Sequence, residues 1–207
     1  MYNQHKQLRI WIFLGLILPF SLCAQETKVP GPIANFLCDI ETTEPKQVDS
    51  KNFEGIDQFG QFEGAWKMTS HALHQGQWVS GWPAYWAWKY SVGGQVIQDY
   101  FYQSKDDFPP VVNKDFDTHG FNLRVYDPES DSWNITWIAN SGGESRMIGE
   151  FRDGIIFMKS TAEEDKDWRI LFYDISEDSF KWRQEFLQED GTWEHQHYLT
   201  GERIEGI

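Results

Sequence analysis

From Phe62 onward, short runs of alternating apolar and polar residues are broken by turn signals at near-regular intervals. In the first run Phe62, Gly64, Trp66, Met68 and Ala72 alternate with Glu63, Lys67, Thr69 and His71. Runs at 85–91 and 95–103 flank Gly93-Gly94, a hairpin signal. Runs at 121–126 and 132–139 flank Asp127-Pro128 and a polar turn, and those at 145–151 and 155–160 flank Asp153-Gly154. A run at 167–173 follows an acidic loop, and the last two, 179–187 and 192–200, flank Asp190-Gly191. Trp133, Ile135, Trp137 and Ala139 share one face, because strand side chains alternate with period two. No stretch after residue 60 carries a convincing helical period. The pattern predicts an all-β domain of eight to ten antiparallel strands. Tight hairpins between even strands favour an up-and-down meander closed into a β-barrel, which removes exposed edges. A β-sandwich is the alternative fold.

The N-terminal segment follows a different logic. Lys6 and Arg9 precede an apolar run from Ile10 to Leu18, Pro19 ends any helix, and small Ala24 stands before Gln25. Positive, apolar and small in that order is what a signal peptidase reads. The run is shorter than the roughly 20 apolar residues of a membrane span. Residues 1–24 are therefore expected to be a cleaved signal peptide and the protein to be secreted or periplasmic. Cys23 raises a lipoprotein alternative, which bulky Leu22 disfavours. Residues 25–61, with Pro30, Pro32 and Pro45, read as an extended leader in which Ile33 to Leu37 form a short docking turn. The barrel domain is expected to span 62–207.

Charge and composition narrow the partners. The chain has 18 Lys and Arg against 32 Asp and Glu, a formal net charge of −14. Loss of Lys6 and Arg9 with the signal makes the rest more acidic still. Such a surface repels nucleic-acid phosphates and anionic lipid heads, so neither nucleic acid nor stable membrane insertion is expected. Cleavage would leave Cys38 as the one cysteine, and a lone cysteine forms no internal disulfide. All eleven tryptophans except Trp11 lie beyond the signal, so aromatic packing must supply much of the core.

Gly64-Ala65-Trp66 at the start of the first long strand resembles the Gly-x-Trp opening of lipocalin-like (calycin) barrels. That resemblance implies a Trp plugging one barrel end under an Arg from the closing strand, here Arg203. A longer set of motifs covers residues 62–203. It comprises Gly94-x-x-x-Gln98-Asp99, Asn122-Leu123-Arg124-Val125-Tyr126-Asp127-Pro128 and Trp133-x-x-x-Trp137. It closes with Asp174-Ile175-x-x-x-Ser179-Phe180-x-Trp182-Arg183-x-Glu185 and Gly191-x-Trp193. These resemble the DUF1579-type calycin-like barrels, a bacterial family of unknown function. The resemblance implies a fold and no reaction.

Candidate chemistry falls into three groups. An aromatic pocket for an apolar or aromatic small molecule would use Trp66, Trp86, Trp88, Gln98, Trp133, Trp137 and Trp182, although each Trp taken singly suits core filling. Trp78 and Trp82 fall in a Gly/Pro stretch that reads as a loop, where they could cap a barrel mouth or stack on a sugar. The second group, for a lyase, isomerase or hydrolase, is Asp99, Arg124, Arg183 and Glu185, with His195 or His197 as proton carriers. It requires these groups to converge, whereas Arg124, Arg183 and Glu185 each suit a solvated outer face. Third, His195-Gln196-His197 has the spacing that puts two imidazoles on one strand face, but a metal needs a further ligand and none is fixed. A single His could serve a haem, without a haem signature in the sequence. Neither metal nor cofactor is expected, and no nucleophile elbow, phosphate loop or dinucleotide fingerprint occurs.

Overall fold

In the computed structural model the described residues are 28–38, 55–162 and 167–206. Residues 1–27, the expected signal peptide among them, lie outside these. Helix α1 (Gly31–Cys38) and the single turn α2 (Asp57–Gly60) precede ten strands. These are β1 (Gly64–His74), β2 (Gln77–Ser91), β3 (Val96–Gln103), β4 (Thr118–Asp127) and β5 (Ser132–Ala139). Then come β6 (Glu144–Arg152), β7 (Ile155–Ser160), β8 (Trp168–Tyr173), β9 (Ser179–Leu187) and β10 (Trp193–Arg203). Each pairs antiparallel with its neighbours in sequence, and β10 pairs with β1 to close the barrel. The expected up-and-down barrel is therefore observed, with ten strands.

Turn chemistry fixes the register. Val92 and Gly93 between β2 and β3, and Asp153 and Gly154 between β6 and β7, have positive φ at both positions. Tight hairpins demand that conformation, which Gly and Asp tolerate. The stretch around Trp78 and Trp82 is a correction: it is strand, the first half of the long β2. Gly81 at φ +93° and a register shift between Ser70 and His71 of β1 admit Pro83 into the ladder.

One end of the barrel is packed shut. Phe59 of α2 makes ring contacts with Trp88 of β2, Trp133 of β5 and Phe172 of β8. Contacts to three separated strands place it inside the barrel end. Phe62 and Trp66 add edge contacts to Phe180 of β9, each at 4.8 Å between ring centres. Trp66 Nε1 donates to the Phe62 carbonyl at 2.7 Å, and Trp133 Nε1 donates to Gln58 Oε1 at 2.9 Å. Arg203 lies over the Trp66 ring at 4.2 Å, as the calycin resemblance implied, and its guanidinium donates to the carbonyls of Gln61, Glu63 and Glu177.

The other helix sits outside. Helix α1 packs on the outer face of β2 and β3, where Ile33 is fully buried and Phe36 stacks on Tyr100 at 5.5 Å. Lys89 donates to the Phe36 carbonyl. The expected docking turn at Ile33 to Leu37 is thus the body of α1. Cys38, its last residue, is disulfide-bonded, which corrects the expectation of a lone thiol. The sequence's other cysteine, Cys23, is outside the described residues.

Candidate functional site

Beyond the plug the barrel opens into a cavity of about 480 Å³, within the ordinary range of about 300–1,000 Å³ for small-molecule sites. Its walls are mostly aromatic and sulfur-bearing: Trp82, Trp86, Phe101, Trp137, Met147, Met158, Phe172 and Trp182. Strand alternation puts them there. In β9 Phe180, Trp182 and Gln184 point inward, while Lys181, Arg183 and Glu185 point out. In β5 the inward set is Trp133, Ile135 and Trp137. Trp137 pairs with Asn122 and its indole lies over Gly120, the diagonal position on β4: a Cβ there would stand 1.6 Å from the indole. The segment after β3 covers the mouth, with Phe108, Val112 and Lys114 at the rim and Phe108 facing Trp82 at 6.2 Å.

The floor is polar. Arg124 of β4 is 1 % exposed, and its Nε lies 2.6 Å from Oδ2 of fully buried Asp99 of β3. Asp99 Oδ1 accepts from Trp86 Nε1 and from Asn122 Nδ2, both at 2.7 Å. Arg124 also lies over the rings of Phe59 and Trp88, at 4.3 and 4.7 Å, so it caps the plug and faces the cavity at once. Burial lowers the Arg124 pKa and the Asp99 charge opposes that drop. A guanidinium stays charged in proteins, so the two form a compensated pair. Breaking such a pair costs far more than the pair itself contributes.

Several expectations are corrected here. Arg124 does not face solvent: β4 turns Asn122 and Arg124 inward and leaves Leu123 and Val125 exposed. Arg183 and Glu185 do lie outside, where Glu185 is paired with Arg169 and Arg183, each at 2.6 Å. The Arg183 contact is a charge pairing without an aligned hydrogen bond. The six-residue catalytic constellation is therefore not assembled. Asp99, Arg124 and His197 share the lumen region, whereas Arg183, Glu185 and His195 do not. Gln98 also leaves the ligand set, since its strand parity is opposite to Asp99, Phe101 and Gln103. Trp66, Trp88 and Trp133 belong to the packed end, leaving Trp86, Trp137 and Trp182 in the cavity wall.

The two histidines are separated by a β-bulge. His195 pairs with outward Glu185 and His197 with inward Gln184, so the extra residue between them, Gln196, reverses the alternation. His195 packs outside against Trp78, with the rings tilted and 5.1 Å apart. His197 lines the cavity, edge-on to Trp182 at 5.2 Å. Burial, and secondly the His71 charge, push its pKa down to about 4. Its ring is neutral at pH 7. Among the described residues no group of three His, Cys, Asp or Glu is placed to hold a metal.

Sequence reasoning missed Phe101, Gln103, Asn122, Trp168, Gln184 and the two Met residues of the wall. Parity with a recognised neighbour, Asn122 with Arg124 and Gln184 with Trp182, was the available signal.

This architecture is a calycin-like barrel. The chain is similar in fold to Rv2717c from M. tuberculosis, with a TM-score of 0.51 and 10 % identity over 73 % of this chain and 98 % of that one. It also matches the S-type phycobiliprotein lyase CPES from Guillardia theta, at a TM-score of 0.43 and 11 % identity over 79 % of this chain and 100 % of that one. No protein-family model and no curated protein sequence matches the chain.

Proposed function

We propose that the protein is an exported binder of a small, largely apolar or aromatic molecule held in the lumen, within the DUF1579-like group of calycin-like barrels. One observation carries this reading: a wall with five Trp, three Phe and two Met residues surrounds a cavity of about 480 Å³ inside the barrel. Apolar walls drive binding through burial of ligand surface, at roughly 25 cal/mol per Å². A few polar groups at the floor then fix orientation. Intrinsic Trp fluorescence, titrated with a panel of hydrophobic and aromatic compounds, tests the reading. A saturable quench or blue shift with at least one compound class is expected. A flat response to the whole panel, with the fold intact, overturns it.

Export rests on the order of positive, apolar and small residues in 1–24. Intact-mass measurement of the exported protein tests it. A chain beginning at Gln25 is expected; a retained N-terminus contradicts it.

A further inference from the structure

The polar floor bears on which molecules fit. Asp99 already receives three hydrogen bonds, from Trp86, Asn122 and Arg124. Its negative charge offsets the positive charge of Arg124 at 2.6 Å. The floor therefore presents hydrogen-bonding capacity without net charge. The Arg124 terminal nitrogens remain directed into the lumen side, where Nη1 has the Met158 sulfur at 3.4 Å, a weak acceptor. Asn122 adds an acceptor. Its Nδ2 must face Asp99, since a carboxylate only accepts, so its Oδ1 takes the other side. That buried Oδ1 has no hydrogen-bond partner among the described residues.

Nothing else in the wall restores a positive charge at depth. Among the described residues, those lining the cavity include no Asp or Glu, and their cations are Arg124 and the exposed rim residue Lys114. His197 is neutral at pH 7. A carboxylate brought to the floor would meet a neutralised arginine and the lone pairs of Asn122. Its own charge would stay buried without a counter-charge, which is costly. A carboxamide or hydroxyl offers the opposite: an acceptor for Arg124 and a donor for Asn122.

We propose that Asp99 sets ligand class, by neutralising Arg124 so that the cavity selects an uncharged apolar or aromatic molecule ending in an amide or hydroxyl over its carboxylate counterpart. This rests on the cavity being the binding site, as proposed above.

Two matched probes test it by isothermal titration calorimetry at pH 7: naphthalene-2-carboxamide and naphthalene-2-carboxylate. The wild-type chain is expected to bind the amide at least about tenfold tighter, which is one step of 1.4 kcal/mol. Asp99→Asn removes the neutralising charge and nearly keeps the shape. In it the preference is expected to shrink by about tenfold or reverse. Equal or tighter carboxylate binding by the wild type overturns the proposal and leaves the cavity reading intact. An unchanged preference in a folded Asp99→Asn variant also overturns it. Failure of both probes to bind overturns the proposal, and together with a flat fluorescence panel it removes both readings. If Asp99→Asn does not fold, the wild-type comparison alone decides.

Discussion

The two ends of this barrel use the same residue type for opposite purposes. At the packed end Trp66, Trp88 and Trp133 are fully buried and meet Phe59, Phe62 and Phe180 ring against ring. In the open half Trp86, Trp137 and Trp182 border empty volume. The strands do not differ: Trp86 and Trp88 share β2, and Trp133 and Trp137 share β5. What differs is the chain that enters each end. Residues 55–63 bring Phe59 and Phe62 into one, whereas only the segment after β3 rims the other. A ten-stranded barrel is too wide for its own side chains to fill, so a donated plug decides where the cavity lies.

Removing the plug should have the largest effect. Phe59→Ala deletes a ring that touches three strands and underlies Arg124, and is expected to cost roughly 3–5 kcal/mol in urea denaturation. A cost near 1 kcal/mol would mean that the packed end is not the stabilising half. Gly120→Ala attacks the open half instead, because its Cβ would collide with Trp137. Displacing that ring is expected to cost about 1–3 kcal/mol and to weaken ligand binding, read by fluorescence titration. Unchanged binding would remove Trp137 from the wall.

Acid should act through His197. Its folded pKa of about 4 lies below the ordinary 6.5, so the unfolded chain takes up the proton first as pH falls. Its contribution is therefore complete above about pH 6.5, is lost between 6.5 and 4, and changes no further below that. The ring borders a cavity, so the loss is expected on the order of 1 kcal/mol and not the full value of the shift. His197→Gln should flatten that part of the pH profile of stability; an identical profile would assign the dependence to other groups. Smallest of all is Arg183→Ala on the outer face. Arg169 still pairs with Glu185, so less than about 1 kcal/mol is expected, with ligand binding untouched. Any loss of binding would show that the outer network reaches the site.

The strands and hairpins were legible because alternation and Gly-containing turns are local signals. The Arg203–Trp66 contact was legible only through the calycin resemblance, since strand β10 returns to β1 across the whole chain. Two features escaped. Alternation says which residues share a face and not which face is inside, and around Arg124 the usual rule is reversed, with Leu123 and Val125 outside. Its reason is non-local: Asp99, on the adjacent strand, supplies the counter-charge that lets an arginine be buried. The bulge at Gln196 escaped as well, because a single unpaired residue leaves no mark in the sequence and yet sends His195 and His197 to opposite sides.

The division between plug and pocket is tested most directly by paired substitutions followed by ligand titration. In Trp182→Phe the ligand-dependent fluorescence change is expected to fall sharply or affinity to weaken, while in Trp133→Phe both are retained. Retention in Trp182→Phe with loss in a folded Trp133→Phe would place the ligand at the packed end and contradict the account.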